Sequence, residues 1–190
     1  MTVRELEQVR DAHVTAEFAD QDADAAVSTM CDDASLLHVP VATGARGTDE
    51  LRRFYAEIFI PSWPDDTDVV PVSRTVGETR LVDELVVRGT HDRRMPFWLP
   101  GVEPTGRRFE LAHAAVITFR DGLIESEHIY WDQASLLVQL GLFDPTNEAG
   151  TGGGESPPVL GVAQTRAYTD PTYPLNELIE RAEHSVQNQC

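Results

Sequence analysis

Residues 109–132, FELAHAAVITFRDGLIESEHIYWD, decide the architecture. Asp121-Gly122 lies between two runs rich in β-branched and aromatic residues, the signature of a hairpin closed by a tight primed turn. With those two as the turn, Arg120 faces Leu123, and counting outward sets His113 opposite Tyr130. Strand side chains alternate between faces, which groups His128, Tyr130 and Asp132 on one side and Glu127, Ile129 and Trp131 on the other. Cross-strand partners share a face with β-carbons about 5 Å apart, so His113 is flanked diagonally by His128 and Asp132. Sheet curvature is expected to make that the concave side. A bulge in the hairpin shifts the pairing by one and sends the two sets to opposite faces.

Working outward, residues 68–76 and 79–91 are β-branched and read as two further strands. Between Asp92 and Arg108 runs a Pro/Gly-rich loop, too long and too apolar for a mere connector. Its Phe97, Trp98 and Leu99 are expected to border a pocket mouth as a lid. Toward the N-terminus the pattern is helical. Val3, Leu6, Val9, His13, Val14 and Phe18 form one stripe, Asp22 or Asp24 caps a short second helix, and a third carries Leu51 to Phe59. Residues 36–39 read as a strand ended by Pro40. Helices followed by a meander of strands predict an α+β fold, a curved antiparallel sheet wrapped over N-terminal helices to leave a cone-shaped cavity. Asp132-Gln133 leads into a short helix closed by Gly141. The domain is expected over residues 1–148, a Gly/Pro linker over 149–158, and a tail over 159–190 whose helix docks on the domain or on a dimer partner.

All 15 basic residues are Arg, against 32 Asp and Glu, giving a formal net charge of −17. That surface repels nucleic acid and anionic membranes, so neither is expected as a partner. The lysine-free acidic composition fits a halophile, with GC-rich codon bias as the alternative. No apolar run reaches the length of a membrane span, and the charged N-terminus is unlike a secretory signal, so a cytoplasmic location is expected. Cys31 and Cys190 make no disulfide framework.

Histidines 38, 91, 113 and 128 fall on strands or strand ends. A base, an acid and a phenol on one face, His113 or His91 with Asp132 and Tyr130, suit proton transfer in a partly dry pocket. His38, His128, Trp98 and Phe97 are the candidate substrate-binding residues. Each has a plain structural reading beside it: a satisfied core histidine, an aromatic packing residue or, for Asp132, the N-cap of the helix that follows. Those five His and Asp residues are also suitable metal ligands, but no close-spaced motif such as HExxH supports a metal site. No phosphate-cradling glycine loop or GxSxG elbow is present, and no cofactor is expected.

Residues 97–141, with Pro104-Thr105-Gly106-Arg107-Arg108, the His113 strand and RDGLIESEHIYWDQASLLVQLGLF, resemble the SnoaL-like polyketide cyclase and ester cyclase branch of the nuclear transport factor 2-like superfamily. Thr90-His91-Asp92 and LRRFYAEIF at 51–59 fit the same layout. The resemblance implies a cone-shaped α+β barrel, commonly homodimeric and cofactor-independent, with Asp132 as acid/base for an intramolecular aldol closure and His113 lining the site. The superfamily also holds isomerases, lyases and non-catalytic binders, so the fold alone leaves the reaction open.

Overall fold

The computed structural model describes residues 2–143, 172, 174–176 and 179. The expected linker, and the tail helix apart from Ile179, lie outside them. Helix α1 (Val3–Val14) opens with a capping box in which Thr2 accepts from Glu5 N while the Glu5 carboxylate accepts from Thr2 N. It buries Leu6, Arg10 and His13, so the inner stripe carries two cationic residues in addition to its apolar ones, and Val3 faces solvent. A π-helical turn (Thr15–Ala19) follows, then α2 (Ala23–Ser28), whose first amides are capped by Asp22.

Strands β1 (Met30–His38) and β2 (Thr43–Arg46) lead to α3 (Thr48–Arg53), a second π-helical turn (Phe54–Phe59) and a short 3-10 turn (Ile60–Ser62). Then come β3 (Asp68–Val76), β4 (Arg80–Thr90), β5 (Arg108–Arg120), β6 (Leu123–Trp131) and α4 (Gln133–Gln139). The six strands make one sheet in the order β2-β1-β6-β5-β4-β3. It is mixed rather than antiparallel throughout, because β1 returns beside β6 in parallel. Strand β2 carries no sequence signal of its own. Gly44 makes it possible: at φ +151 a β-carbon there would overlap the Leu36 carbonyl oxygen.

The hairpin turn forms as its sequence predicts, with Asp121 and Gly122 both at positive φ, 51 and 91. Arg120 pairs with Leu123, but the register shifts between Thr118 and Phe119. Beyond that bulge His113 pairs with Trp131, and Ala114 pairs with Tyr130. The expected face assignment is therefore reversed. Glu127 and Trp131 are buried on the His113 side with the half-buried Ile129, and His128 and Tyr130 turn to the convex face.

At the other end of the sheet the described part of the tail returns to β2. Asn176 donates from its side-chain amide to Gly44 O at 2.8 Å and accepts from Gly44 N at 3.0 Å, satisfying an edge peptide. Leu175 packs on Leu37 and Ala42, and Ile179 is buried.

Candidate active site

Between the helices and the concave face lies a cavity of about 790 Å³. Its exposed lining residues, among them Asp11, Thr15, Val72, Ser73 and Arg74, place the mouth between edge strand β3 and the end of α1. Its inner wall is aromatic: Phe59, Trp63, Trp98, His38 and His113. Trp98 stacks on His113 with centroids 4.9 Å apart and rings at 24°, and Trp63 meets Trp98 edge-on at 4.9 Å. Phe97 fills the space behind, 5.4 Å from His38 and 4.9 Å from Trp63. The segment Phe97–Leu99 is thus not a lid at the mouth. All three side chains are buried and plug the closed end of the cone.

The nitrogens of that wall matter. Both ring nitrogens of His38, the indole nitrogens of Trp63 and Trp98, and Nε2 of His113 are buried without a hydrogen-bond partner. Orphan polar atoms are uncommon in folded cores, so four neighbouring rings with them need a cause. Nδ1 of His113 lies 3.0 Å from Leu111 O and must donate to that carbonyl, which leaves Nε2 as a lone pair. Burial lowers the pKa of His113 to about 4, and burial with the neighbouring His113 lowers that of His38 to about 3, so both rings are neutral at pH 7.

The opposite wall is charged. Glu127 accepts from Arg10 at 2.7 Å, and its other oxygen lies 3.1 Å from His13 Nε2. Glu17, on the π-helical turn, places Oε1 3.3 Å from the same His13 nitrogen. Tyr55 donates to Glu127 at 3.3 Å. Burial opposes charge on His13, but the carboxylates of Glu127 and Glu17 outweigh it and raise its pKa to about 10. Hydrogen bonding agrees. Thr29 donates its hydroxyl to the Ala26 carbonyl at 2.7 Å, so Nδ1, 2.6 Å from that hydroxyl and 3.1 Å from the carbonyl, is placed to donate, while Nε2 faces two carboxylates. Burial works against the Glu127 carboxylate, yet His13 and Arg10 hold its pKa well below the usual range. Asp83 pairs with both Arg10 at 3.2 Å and Arg74 at 2.6 Å. Arg10, Arg74 and His13 are thus set among Glu17, Glu127, Asp83 and, through Arg74 at 2.8 Å, Asp11, so each of these carboxylates has a cationic partner.

Among the described residues, His13, Glu17 and Glu127 are also the one group with metal-ligand spacing. The His13 proton already occupies the point between the two carboxylates, and Arg10 holds one Glu127 oxygen, so the group fits a proton better than a divalent ion.

A family profile described as the SnoaL-like domain matches residues 11–127. The chain belongs to the SnoaL-like domain family. Solved structures agree on the fold. TsrD from Streptomyces laurentii superposes with a TM-score of 0.60 at 18% identity, covering 75% of this chain and 99% of that one. A candidate SnoaL-like polyketide cyclase from Jannaschia sp. CCS1 gives 0.57 at 19%, covering 72% and 94%. A protein of ketosteroid isomerase-like fold from Catenulispora acidiphila, solved with trimethylamine, gives 0.54 at 16%, covering 71% and 93%. No curated protein matches the chain.

In this SnoaL-like domain the expected site residues separate. His113, His38 and Trp98 line the cavity, with Phe97 behind them. Asp132 does not join them. It is exposed and caps α4, accepting from Ala134 N at 2.9 Å and Ser135 N at 3.2 Å. Its flanking residues carry the structural work of the WDQ run. Trp131 donates to Gln133 at 2.8 Å, and Gln133 donates to Trp98 O at 3.2 Å, tying the strand end to the plug. His91 is buried outside the cavity lining, where Nδ1 accepts from Thr105 N at 3.2 Å and the backbone pairs with Gly106 and Arg107 to close the base of the 92–107 loop. Sequence reasoning missed Glu17, Glu127, Arg10, Asp83 and Trp63. Only the parity of β6 hinted at Glu127.

Proposed function

We propose that this SnoaL-like domain binds a flat, cyclic, carbonyl-bearing small molecule in the cone and moves a proton on it with its own side chains, as a cyclase, lyase or isomerase of the acid/base type. The observation that carries this reading is the set of orphan nitrogens in the aromatic wall. Two indole N–H donors suit a carbonyl or enolate oxygen, the His113 lone pair suits a hydroxyl, and the stacked rings suit a planar skeleton. Neutral histidines favour an uncharged ligand at that end. A polar wall opposite an apolar one gives the asymmetry that proton transfer requires and that simple storage of an apolar ligand does not.

The probe is 2-tetralone, a bicyclic ketone with acidic hydrogens beside its carbonyl. It should quench the fluorescence of Trp63, Trp98 and Trp131 saturably, and Trp98→Phe with His113→Phe should weaken binding at least tenfold. The wild-type protein should also speed deuterium uptake at the α-carbons in D2O. No saturable quenching sinks the reading, and binding without exchange reduces it to the non-catalytic module.

The convex face supports a homodimer. Val82, Val86, Ala114, Val116, His128 and Tyr130 form a half-buried strip across β4, β5 and β6. Light scattering at 0.5 M salt should give the dimer mass, and Val116→Arg should give the monomer; a wild-type monomer would refute the assembly.

A further inference from the structure

We propose that Glu17 is the catalytic base of this site, taking the proton from the carbon beside the ligand's carbonyl. The inference rests on the function proposed above and assigns its proton acceptor. Three independent observations converge on Glu17. It borders the cavity although the residue is 5% exposed, so the carboxylate is nearly dry and faces whatever fills the cone. It sits on the π-helical turn closed by Asp20 N donating to Thr15 O at 2.9 Å, and such widened turns are frequent at functional sites. Among the described residues its one direct partner is His13, through Oε1. Oε2 is left for a ligand, whereas both oxygens of Glu127 and of Asp83 are engaged.

The charge arithmetic favours the step. Glu17 Oε2 takes the proton as the C–H bond breaks. Its electron pair forms the carbon–carbon double bond of the enolate, and the carbonyl π pair moves to oxygen, for which the buried Trp63 and Trp98 N–H groups are donors without a partner in the protein. Protonation of Glu17 makes the charged wall one unit more positive across from the enolate, because His13 keeps its own proton, paired with Glu127. Return of the proton to a different carbon is an isomerisation. Attack of the enolate carbon on a second carbonyl of the same molecule closes a ring, and the alkoxide recovers the proton from Glu17.

The test uses 2-tetralone with the full chain. Glu17→Gln keeps an oxygen for His13 to donate to, so thermal melts should show it folded. It should bind 2-tetralone within threefold of wild type yet lose deuterium exchange by about 100-fold or more. Glu17→Asp, with the carboxylate withdrawn by one methylene, should retain measurable exchange. Exchange by Glu17→Gln at the wild-type rate overturns the assignment, and so does a parallel loss of binding and exchange, which would make Glu17 a shaping residue. Wild-type protein that binds without exchange overturns the base while leaving ligand binding intact. Wild-type protein that does not bind removes the assignment together with the function it rests on.

Discussion

Arg10→Met should lower the unfolding free energy by about 3–5 kcal/mol, the range expected when one member of a buried ion pair is removed. The Arg10 side chain is 6% exposed and reaches Glu127 at 2.7 Å and Asp83 at 3.2 Å. Methionine fills similar space without donors, so Glu127 keeps His13 and Tyr55 but loses its shortest partner. Asp83 is better protected, because Arg74 contacts both of its oxygens at 2.6 and 3.1 Å. Most of the loss therefore belongs to Glu127. Adding Glu127→Gln removes the carboxylate that has lost its strongest partner and should recover at least half of the stability, since a neutral side chain costs less to bury than an under-partnered carboxylate. Urea unfolding followed by tryptophan fluorescence, with an unchanged slope, measures both. A single variant within 1 kcal/mol of wild type would mean that water reaches the network and screens it.

The fold was legible because its decisive signals are local. Asp121-Gly122 supplies two positive-φ positions in a row, which fixes the turn without any knowledge of the rest of the chain. The alternation of Phe109, Leu111, His113, Ala115, Ile117 and Phe119 names the inner face of β5. The site was less legible for a related reason. In β6 the buried residues change parity, from the even-numbered Ile124 to the odd-numbered Glu127 and Trp131, and that change is the bulge. It was masked because the residue that would reveal it, Glu127, is a carboxylate in a place where periodicity expects an apolar side chain. What makes a buried Glu127 tolerable is Arg10, 117 positions away, and what makes Arg10 tolerable also includes Asp83, 73 positions away. No window of a helix or strand contains such a pair. Asp132 misled for the opposite reason: its local role as a helix cap was visible in sequence, and the local role is the one the structure shows.

Stability should peak near pH 6.5 and fall on both sides, with the buried histidines setting the slopes. His13 has its folded pKa raised from 6.5 to about 10. Its stabilisation is fully present below 6.5 and is lost as pH rises toward 10, since the unfolded chain gives up a proton that the folded one keeps. His38 and His113 have theirs lowered from 6.5 to about 3 and about 4. Below 6.5 the unfolded chain gains protons that these two folded rings refuse, and His91 and His128, also lowered by burial, add to the effect, so stability falls as pH drops until the folded rings titrate in turn. Glu127, held below the usual carboxylate range, deepens the loss below about pH 4.5. One proton corresponds to about 1.4 kcal/mol per pH unit, so the alkaline limb should approach that slope and the acid limb should be steeper, because several histidines contribute to it. Urea melts in 1 M salt, which screens the −17 surface charge, isolate these buried groups. His38→Phe, in a ring of Phe54, Phe59 and Phe97, should make the acid limb shallower and leave the alkaline one alone. Glu17→Gln removes one of the two carboxylates that hold the His13 proton and should shorten the alkaline limb, starting the final loss at lower pH. A profile flat from pH 5 to 9 would show that His13 is not held as an imidazolium between Glu17 and Glu127.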